Sequence, residues 1–386
     1  MVMRPISYGR QYISQEDIDA VVETLQSDFL TQGPKVKEFE ERFAEYVGSK
    51  YAIAVSNGTA ALHLCTMAMN VQKGDKVITT PLTFAASANC IRYCDGEVDF
   101  VDIDPHTYLM DLDKLEEKLA SVPVGTYKGV IPVDFAGYPI NVERLRSIAN
   151  KYKLWIIEDA CHAPGGYFED SQKVQQKCGN GAYADLHIFS FHPVKHIATG
   201  EGGMITTNNK ELYEKICLLR THGITKDPEL LNENHGGWYY EMQELGYNYR
   251  LSDIQAALGV SQLERANEGV RKRNEIALKY NEAFKESKIT TPFVHDNTLH
   301  AYHLYVIQIE DRKGLYNHLR ENNIFSQVLY SPVHLQPYYK KFGWKKGDLP
   351  VVEKYYENCL ALPMFPTLSI DEQNYVIEKI KEFIDE

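Results

Sequence analysis

The chain has 386 residues, 44% of them apolar and 24% charged, proportions that exclude a largely disordered protein and provide for a substantial core. Forty-one basic residues against fifty-three acidic ones leave a formal charge of −12, which argues against indiscriminate binding to nucleic acid or anionic membranes. No apolar run approaches the length of a membrane span, no basic leader precedes an apolar stretch at the start, and seven cysteines are scattered without forming a metal-binding set. These features predict a soluble cytoplasmic enzyme with reduced thiols.

In chain order, an arm leads to SQEDIDAVVETLQ, where Ser14 and Asp17 read as the capping pair of a helix. Gly33-Pro34 breaks that pattern, and VKEFEERFAEYV resumes it as an amphipathic helix. From residue 51 the short apolar segments YAIAV, DKVITT, EVDFVDI, YKGVIPV, KLWIIED, ADLHIFS and GGMITT read as strands. Helical stretches such as SNGTAALHLCTMAMN, FAASANCIRYC and NVERLRSIANKY separate them. This alternation predicts an α/β architecture with helices covering a mixed, mostly parallel sheet. ELYEKICLLRTHG ends the series as a helix, and residues 224–247 read as an extended loop with an aromatic cluster. Residues 250–286 are strongly helical, with Gly259 as an interruption, and the last hundred residues predict a smaller α+β domain. The expected division is a large domain with its N-terminal arm at 1–250, then a bridging helix and small domain at 251–386.

Three segments carry chemistry. In SNGTAAL, small and polar residues after a strand place backbone N–H groups at a helix start, suited to an anion, although an ordinary helix cap reads the same. The segment is neither a Walker loop nor a dinucleotide-binding glycine pattern. KLWIIEDACHAPGG delivers Glu158 and Asp159 to the carboxyl end of a strand, where α/β proteins bind ligands. Asp159 there is either a helix cap or a carboxylate that holds a pyridine nitrogen protonated, with His162 three residues on. HIFSFHPVKHIATGEGGMI places Lys195 between a strand and a glycine-rich turn among mostly uncharged neighbours. A lysine held in such a pocket has a lowered pKa and can form a Schiff base, whereas a surface lysine is the ordinary alternative. Ser190 offers a phosphate donor, and His187, His192 and His196 lack a recognised zinc spacing.

The ordered set TQGPKVKEFE, SNGTAAL, PLTFAASAN, EDACHAPG, FSFHPVKHIATGEGGM and LGYNYRLSDIQAALG closely resembles the nucleotide-sugar aminotransferases of the DegT/DnrJ/EryC1/StrS family over residues 6–380. The resemblance implies the aspartate-aminotransferase-like fold (fold type I) and pyridoxal 5'-phosphate as cofactor. It makes Lys195 the lysine that links covalently to the cofactor and moves the substrate proton, and Asp159 the partner of the pyridinium nitrogen. His162 takes the position that contacts the cofactor's 3'-oxygen, and Phe84 that of the aromatic stacked on its ring. Gly58, Thr59, Ala60 and Ser190 match phosphate contacts. Asn248 matches a phosphate ligand donated by a neighbouring subunit, which implies a homodimer with shared sites. Lysine at 195 disfavours the related sugar dehydratases, which carry histidine there.

Within the family, GGWYYEMQELGYNYRLSDIQAALGVSQLER and VLYSPVHLQPYY resemble the aminotransferases of the pseudaminic acid pathway. That implies L-glutamate as donor and UDP-2-acetamido-2,6-dideoxy-β-L-arabino-hex-4-ulose as acceptor. Candidate substrate contacts are Thr31, Gln32, Gly33, Trp238, Tyr239, Arg250, Tyr330 and His334. Ala198 and Gln336 depart from the pattern, leaving other UDP- or dTDP-4-keto sugars open as acceptors. A non-catalytic sensor of the cofactor or of sugar nucleotides, a structural scaffold and an amino-acid aminotransferase are the remaining alternatives.

Overall fold

The computed structural model describes residues 4–385. At its centre lie seven strands: β1 (Tyr51–Val55), β2 (Lys76–Thr79), β3 (Glu97–Phe100), β4 (Tyr127–Ile131), β5 (Trp155–Asp159), β6 (Leu186–Ser190) and β7 (Gly203–Thr207). They are ordered β1-β7-β6-β5-β4-β2-β3 across the sheet. β7 runs antiparallel to both neighbours and all other pairs are parallel, so six strands end at one common edge.

The strands are apolar throughout because both faces are covered. Period-2 alternation sends Ile53, Val55, Ile157, Ile188 and Ile205 to a face covered by the helices Gly58–Ala68 and Lys210–Arg220. Their neighbours Ala52, Ala54, Phe189 and Met204 pack on the opposite face with Phe39 and Phe43 of the helix Pro34–Val47. On that face Ile78, Val130 and Ile156 meet Leu115 and Leu145, from the helices Leu112–Ala120 and Val142–Tyr152.

The Ser14 capping box forms as predicted, at the start of the helix Gln15–Leu25. Gly259 does not interrupt its helix. The break falls at Glu264 and Arg265, between the helices Asp253–Leu263 and Ala266–Phe284. Gly259 serves close packing instead, since a Cβ there would sit 2.6 Å from the Phe39 ring. The 224–247 segment is mostly irregular, closed at its base by pairing of Ile224–Thr225 with Glu241–Met242.

A second core gathers Tyr280, Phe284, Tyr305, Leu315, Leu360 and Ile380 from the C-terminal part. Ile6 belongs to it too, because Ile6–Ser7 pairs in parallel with Ile324–Phe325. The helix Asp253–Leu263 packs instead on the helices Gln15–Leu25 and Pro34–Val47. The helix Asp253–Leu263 and Ala266 thus pack with the sheet, and the arm crosses to the second core. Linear hydrophobic patterning registers neither event, because both depend on which face meets which. Among the described residues, no helix is long and apolar enough to cross a membrane.

Candidate active site

The carboxyl edge of the parallel strands opens onto a cavity of about 740 Å³. β1 leads into Asn57, whose Oδ1 accepts the Ala60 N–H at 2.8 Å and caps the following helix. Helix geometry leaves the N–H groups of Gly58 and Thr59 without intrahelical acceptors, and both residues line the cavity. β7 starts against this turn at Gly203, where a Cβ would fall 2.7 Å from the Asn57 carbonyl group, so only glycine permits the approach. Ser190, the last residue of β6, adds a hydroxyl to the same wall. A helix start with free donors beside a serine is a cradle for a phosphate dianion.

Asp159, at the end of β5, is buried on the adjoining wall. Its Oδ2 accepts the Ser87 hydroxyl at 2.7 Å, and its Oδ1 accepts the Cys161 N–H at 3.2 Å. Because Ser87 donates to Asp159, Thr83 is the donor in the 2.7 Å contact between their hydroxyls. The carboxylate is thus oriented by a relay from the helix Ala86–Tyr93 and kept as an acceptor. Strand alternation turns the neighbouring Glu158 to the other face, beside buried Asp134, Cys178 and His187. Burial, reinforced by the neighbouring carboxyl, pushes the Asp134 carboxyl well up, and burial likewise raises Glu158. That cluster holds a shared proton rather than two charges.

Lys195 lies in the loop after β6, half-buried on the cavity wall. Burial lowers its pKa, opposed by Cys161 and Asp159; its opening to the cavity tempers the effect. His162 is buried, and its Nδ1 accepts the Ala136 N–H at 3.2 Å. The ring proton therefore resides on Nε2, 3.4 Å from the Tyr330 hydroxyl. Burial, with Lys195 and His196 nearby, holds its pKa well below the usual histidine range, so it presents a neutral N–H.

Of the residues singled out from sequence, Gly58, Thr59, Ala60, Phe84, Asp159, His162, Ser190, Lys195 and Tyr330 line this one cavity. Phe84 is exposed toward it, 6.3 Å from the Tyr330 ring. The others lie elsewhere. Asn248 is exposed and bridges Thr221, and Arg250 bridges Val55 along the outer edge of β1. Thr31 and Gln32 are exposed, Thr31 pairs with Ser252, and the Gly33 N–H bonds Asp253 at 2.8 Å. Trp238 stands 75% exposed, and the Tyr239 hydroxyl is held by Glu241.

His334 corrects the sequence expectation. It is fully buried, bonded through Nε2 to Glu353 at 3.0 Å, and forms no part of the cavity wall. The 3-10 turn Val333–Leu335 points it inward. Sequence reasoning also missed Ser87, Tyr8, Cys161, Tyr249 and His303. None of them stands in a local pattern that marks it, since Thr83 precedes the helix Ala86–Tyr93 and its spacing to Ser87 is no helical repeat.

The cavity shares Thr83, Phe84, Tyr93 and Tyr330 with an adjoining cleft of about 680 Å³, whose wall also includes Asn89, Arg92, Gln336 and Tyr338. Together they form a deep chamber with an aromatic extension.

The model of the DegT/DnrJ/EryC1/StrS aminotransferase family matches residues 11–381. The spore coat polysaccharide biosynthesis protein SpsC of Bacillus subtilis is 40% identical over 98% of this chain and 97% of its own. The UDP-4-amino-4,6-dideoxy-N-acetyl-β-L-altrosamine transaminase of Campylobacter jejuni is 37% identical over 98% of this chain and 99% of its own. The PLP form of the putative sugar aminotransferase Spr1654 from Streptococcus pneumoniae superimposes with a TM-score of 0.90 at 29% identity, covering 99% of each chain. The donor set fits pyridoxal phosphate: a phosphate cradle, a buried carboxylate and a lysine of lowered basicity converge on one cavity. The chain belongs to the DegT/DnrJ/EryC1/StrS family of sugar aminotransferases, with the fold of the aspartate-aminotransferase type and pyridoxal phosphate as its cofactor.

Proposed function

We propose that the protein transfers the amino group of L-glutamate to C4 of UDP-2-acetamido-2,6-dideoxy-β-L-arabino-hex-4-ulose. The products are UDP-4-amino-4,6-dideoxy-N-acetyl-β-L-altrosamine and 2-oxoglutarate. The observation that carries an aminotransferase reading is Lys195 and Asp159 on the wall of one cavity with the Gly58–Ser190 cradle. Bound pyridoxal phosphate supplies the electron sink for amino transfer.

The chain's residues do the rest. Gly58, Thr59 and Ser190 hold the phosphate. Asp159, oriented by Ser87 and the Cys161 N–H, would set its negative charge against the pyridinium nitrogen. His162 would donate from Nε2 to the 3'-oxygen, and Phe84 would cover the ring. Lys195, made less basic by burial, accepts and returns the proton at the substrate carbon.

The adjoining cleft favours a sugar nucleotide over a small oxo acid, because its aromatic faces and Arg92 suit a base and diphosphate. The altrosamine transaminase relative supports this acceptor, whereas the differently named SpsC relative supports another nucleotide 4-keto sugar. A homodimer completes the site in this reading. Exposed Trp238, Tyr240, Met242 and Leu245, with Ile18, Val22 and Leu25 of the first helix, form apolar surface that a second copy would cover.

The test is single-turnover spectroscopy of the purified, cofactor-loaded protein. L-Glutamate should bleach the visible absorbance of lysine-bound cofactor, and the UDP-4-keto sugar should restore it. Lys195→Ala should lack the lysine-bound signal. Restoration by a small oxo acid but not by the sugar nucleotide would sink the acceptor assignment. For the shared site, mixing inactive Lys195→Ala with inactive Asn248→Ala subunits should recover activity, and no recovery would refute it.

A further inference from the structure

We infer that a second cavity, behind Lys195 and separate from the cofactor chamber, is a binding site for a small oxyanion. It measures about 220 Å³ and is walled by the arm, the two halves of the broken helix and the loop at Pro366–Thr367. Lys195 is the one residue it has in common with the cofactor cavity. Cations dominate its lining: Arg10, Arg265, Lys272, Arg273 and Lys195, with Glu268 as the carboxylate among them.

Two of the five cations, Arg265 and Lys272, have a carboxylate partner, and besides Lys195 two arginines have none among the described residues. Arg265 pairs with Asp17, while Glu268 is held by Arg271 and lies 3.7 Å from Lys272. Arg10 and Arg273 belong to none of these pairs. Arg273 is 1% exposed, and its Nη1 is spent on the main-chain carbonyls of Tyr302, His303 and Met364. Its Nε–H is buried without a partner. Carbonyl dipoles satisfy donors but do not neutralise a charge, and an interior guanidinium normally finds an anion. Burial alone pushes this one down to about 9, with no carboxylate opposing the shift.

The cavity is too small for a nucleotide and large enough for a tetrahedral anion. Guanidinium groups bind such oxygens with paired N–H donors. An anion here also places negative charge beside Lys195, the residue that the two cavities share. Occupancy therefore raises the proton affinity of that lysine.

Calorimetric titration of inorganic phosphate into the cofactor-loaded protein at constant ionic strength tests the inference. The cofactor's own phosphate then fills the Gly58–Ser190 cradle. One saturable phosphate site per chain is expected, matched by sulfate and not by chloride. Arg10→Gln and Lys272→Gln should each weaken it, and the double variant by about tenfold or more. Lys313→Gln, on an exposed helix elsewhere, should leave it unchanged. Arg273→Gln is informative only if it folds, so the two rim variants carry the decision. Absence of saturation, equal binding of chloride, or phosphate heats unaltered by Arg10→Gln with Lys272→Gln would each overturn the site. The last outcome would place phosphate in the substrate cleft.

Discussion

The Ser87 hydroxyl donates to Asp159 Oδ2 at 2.7 Å, and Thr83 stands behind it at the same distance. The carboxylate proposed to face the cofactor nitrogen therefore depends on a helix that begins some seventy residues earlier in the chain. Ser87→Ala removes a buried donor to an ionised acceptor, a change worth about 1.5–3 kcal/mol. Cofactor affinity or turnover should fall about tenfold or more, with Ser87→Thr retaining most of it. Unchanged cofactor binding and turnover in Ser87→Ala would show that the Cys161 N–H suffices to orient Asp159.

The Ala136 N–H fixes the tautomer of His162, leaving Nε2–H for the cavity. Nitrogen NMR of labelled histidine should find His162 as the Nε2–H tautomer and neutral from pH 6 to 9, in keeping with a pKa held far down by burial. His162→Gln retains an N–H donor and should stay within about tenfold of wild type, whereas His162→Leu should lose more. A protonation step near the ordinary histidine value would contradict this placement.

How much of this was legible beforehand follows from topology. Lys195, Asp159, Gly58 and Ser190 sit at or just beyond the ends of apolar strands, and parallel strands share one edge. Reading the strands therefore located the residues together. Tyr8 and His303 reach the same cavity from the arm and the C-terminal part, and no local period marks them. His334 was misread because a polar residue in an apolar run suggested a ligand contact. Its partner is Glu353, nineteen residues on, and a short 3-10 turn decides the direction. The helix break at Glu264 and Arg265 leaves no mark in the sequence, because the helical pattern runs continuously across it.

The Asp134–Glu158 pair makes a pH prediction. Burial raises both carboxyls, so the folded chain retains a proton that the unfolded chain releases above about pH 4–5. Stability from this pair is present at low pH and declines as pH rises from about 5 toward 7, by about 1.4 kcal/mol per pH unit per retained proton. Glu158→Gln should flatten that decline. Urea midpoints at pH 5, 6 and 7 measure it, and an unaltered slope in the variant would remove the shared proton from the account.

Two glycines separate a defect of the site from a defect of the fold. In Gly203→Ala the added methyl meets Asn57 backbone atoms at 2.7 Å and the Gly58 nitrogen at 2.9 Å, the turn that forms the phosphate cradle. In Gly259→Ala it meets the Phe39 ring at 2.6 Å, in the core beneath the helix Pro34–Val47. Overpacking of this kind costs about 1–3 kcal/mol. Gly259→Ala should lower the unfolding midpoint and leave cofactor affinity intact, because no cradle atom has to move. Gly203→Ala should weaken cofactor binding beyond what its loss of stability accounts for, since backbone donors cannot rotate away from a methyl group. Titration of pyridoxal phosphate into both apoproteins, beside their denaturation curves, distinguishes them. Parallel losses of affinity and stability in the two variants would mean that the cradle is no more constrained than the core.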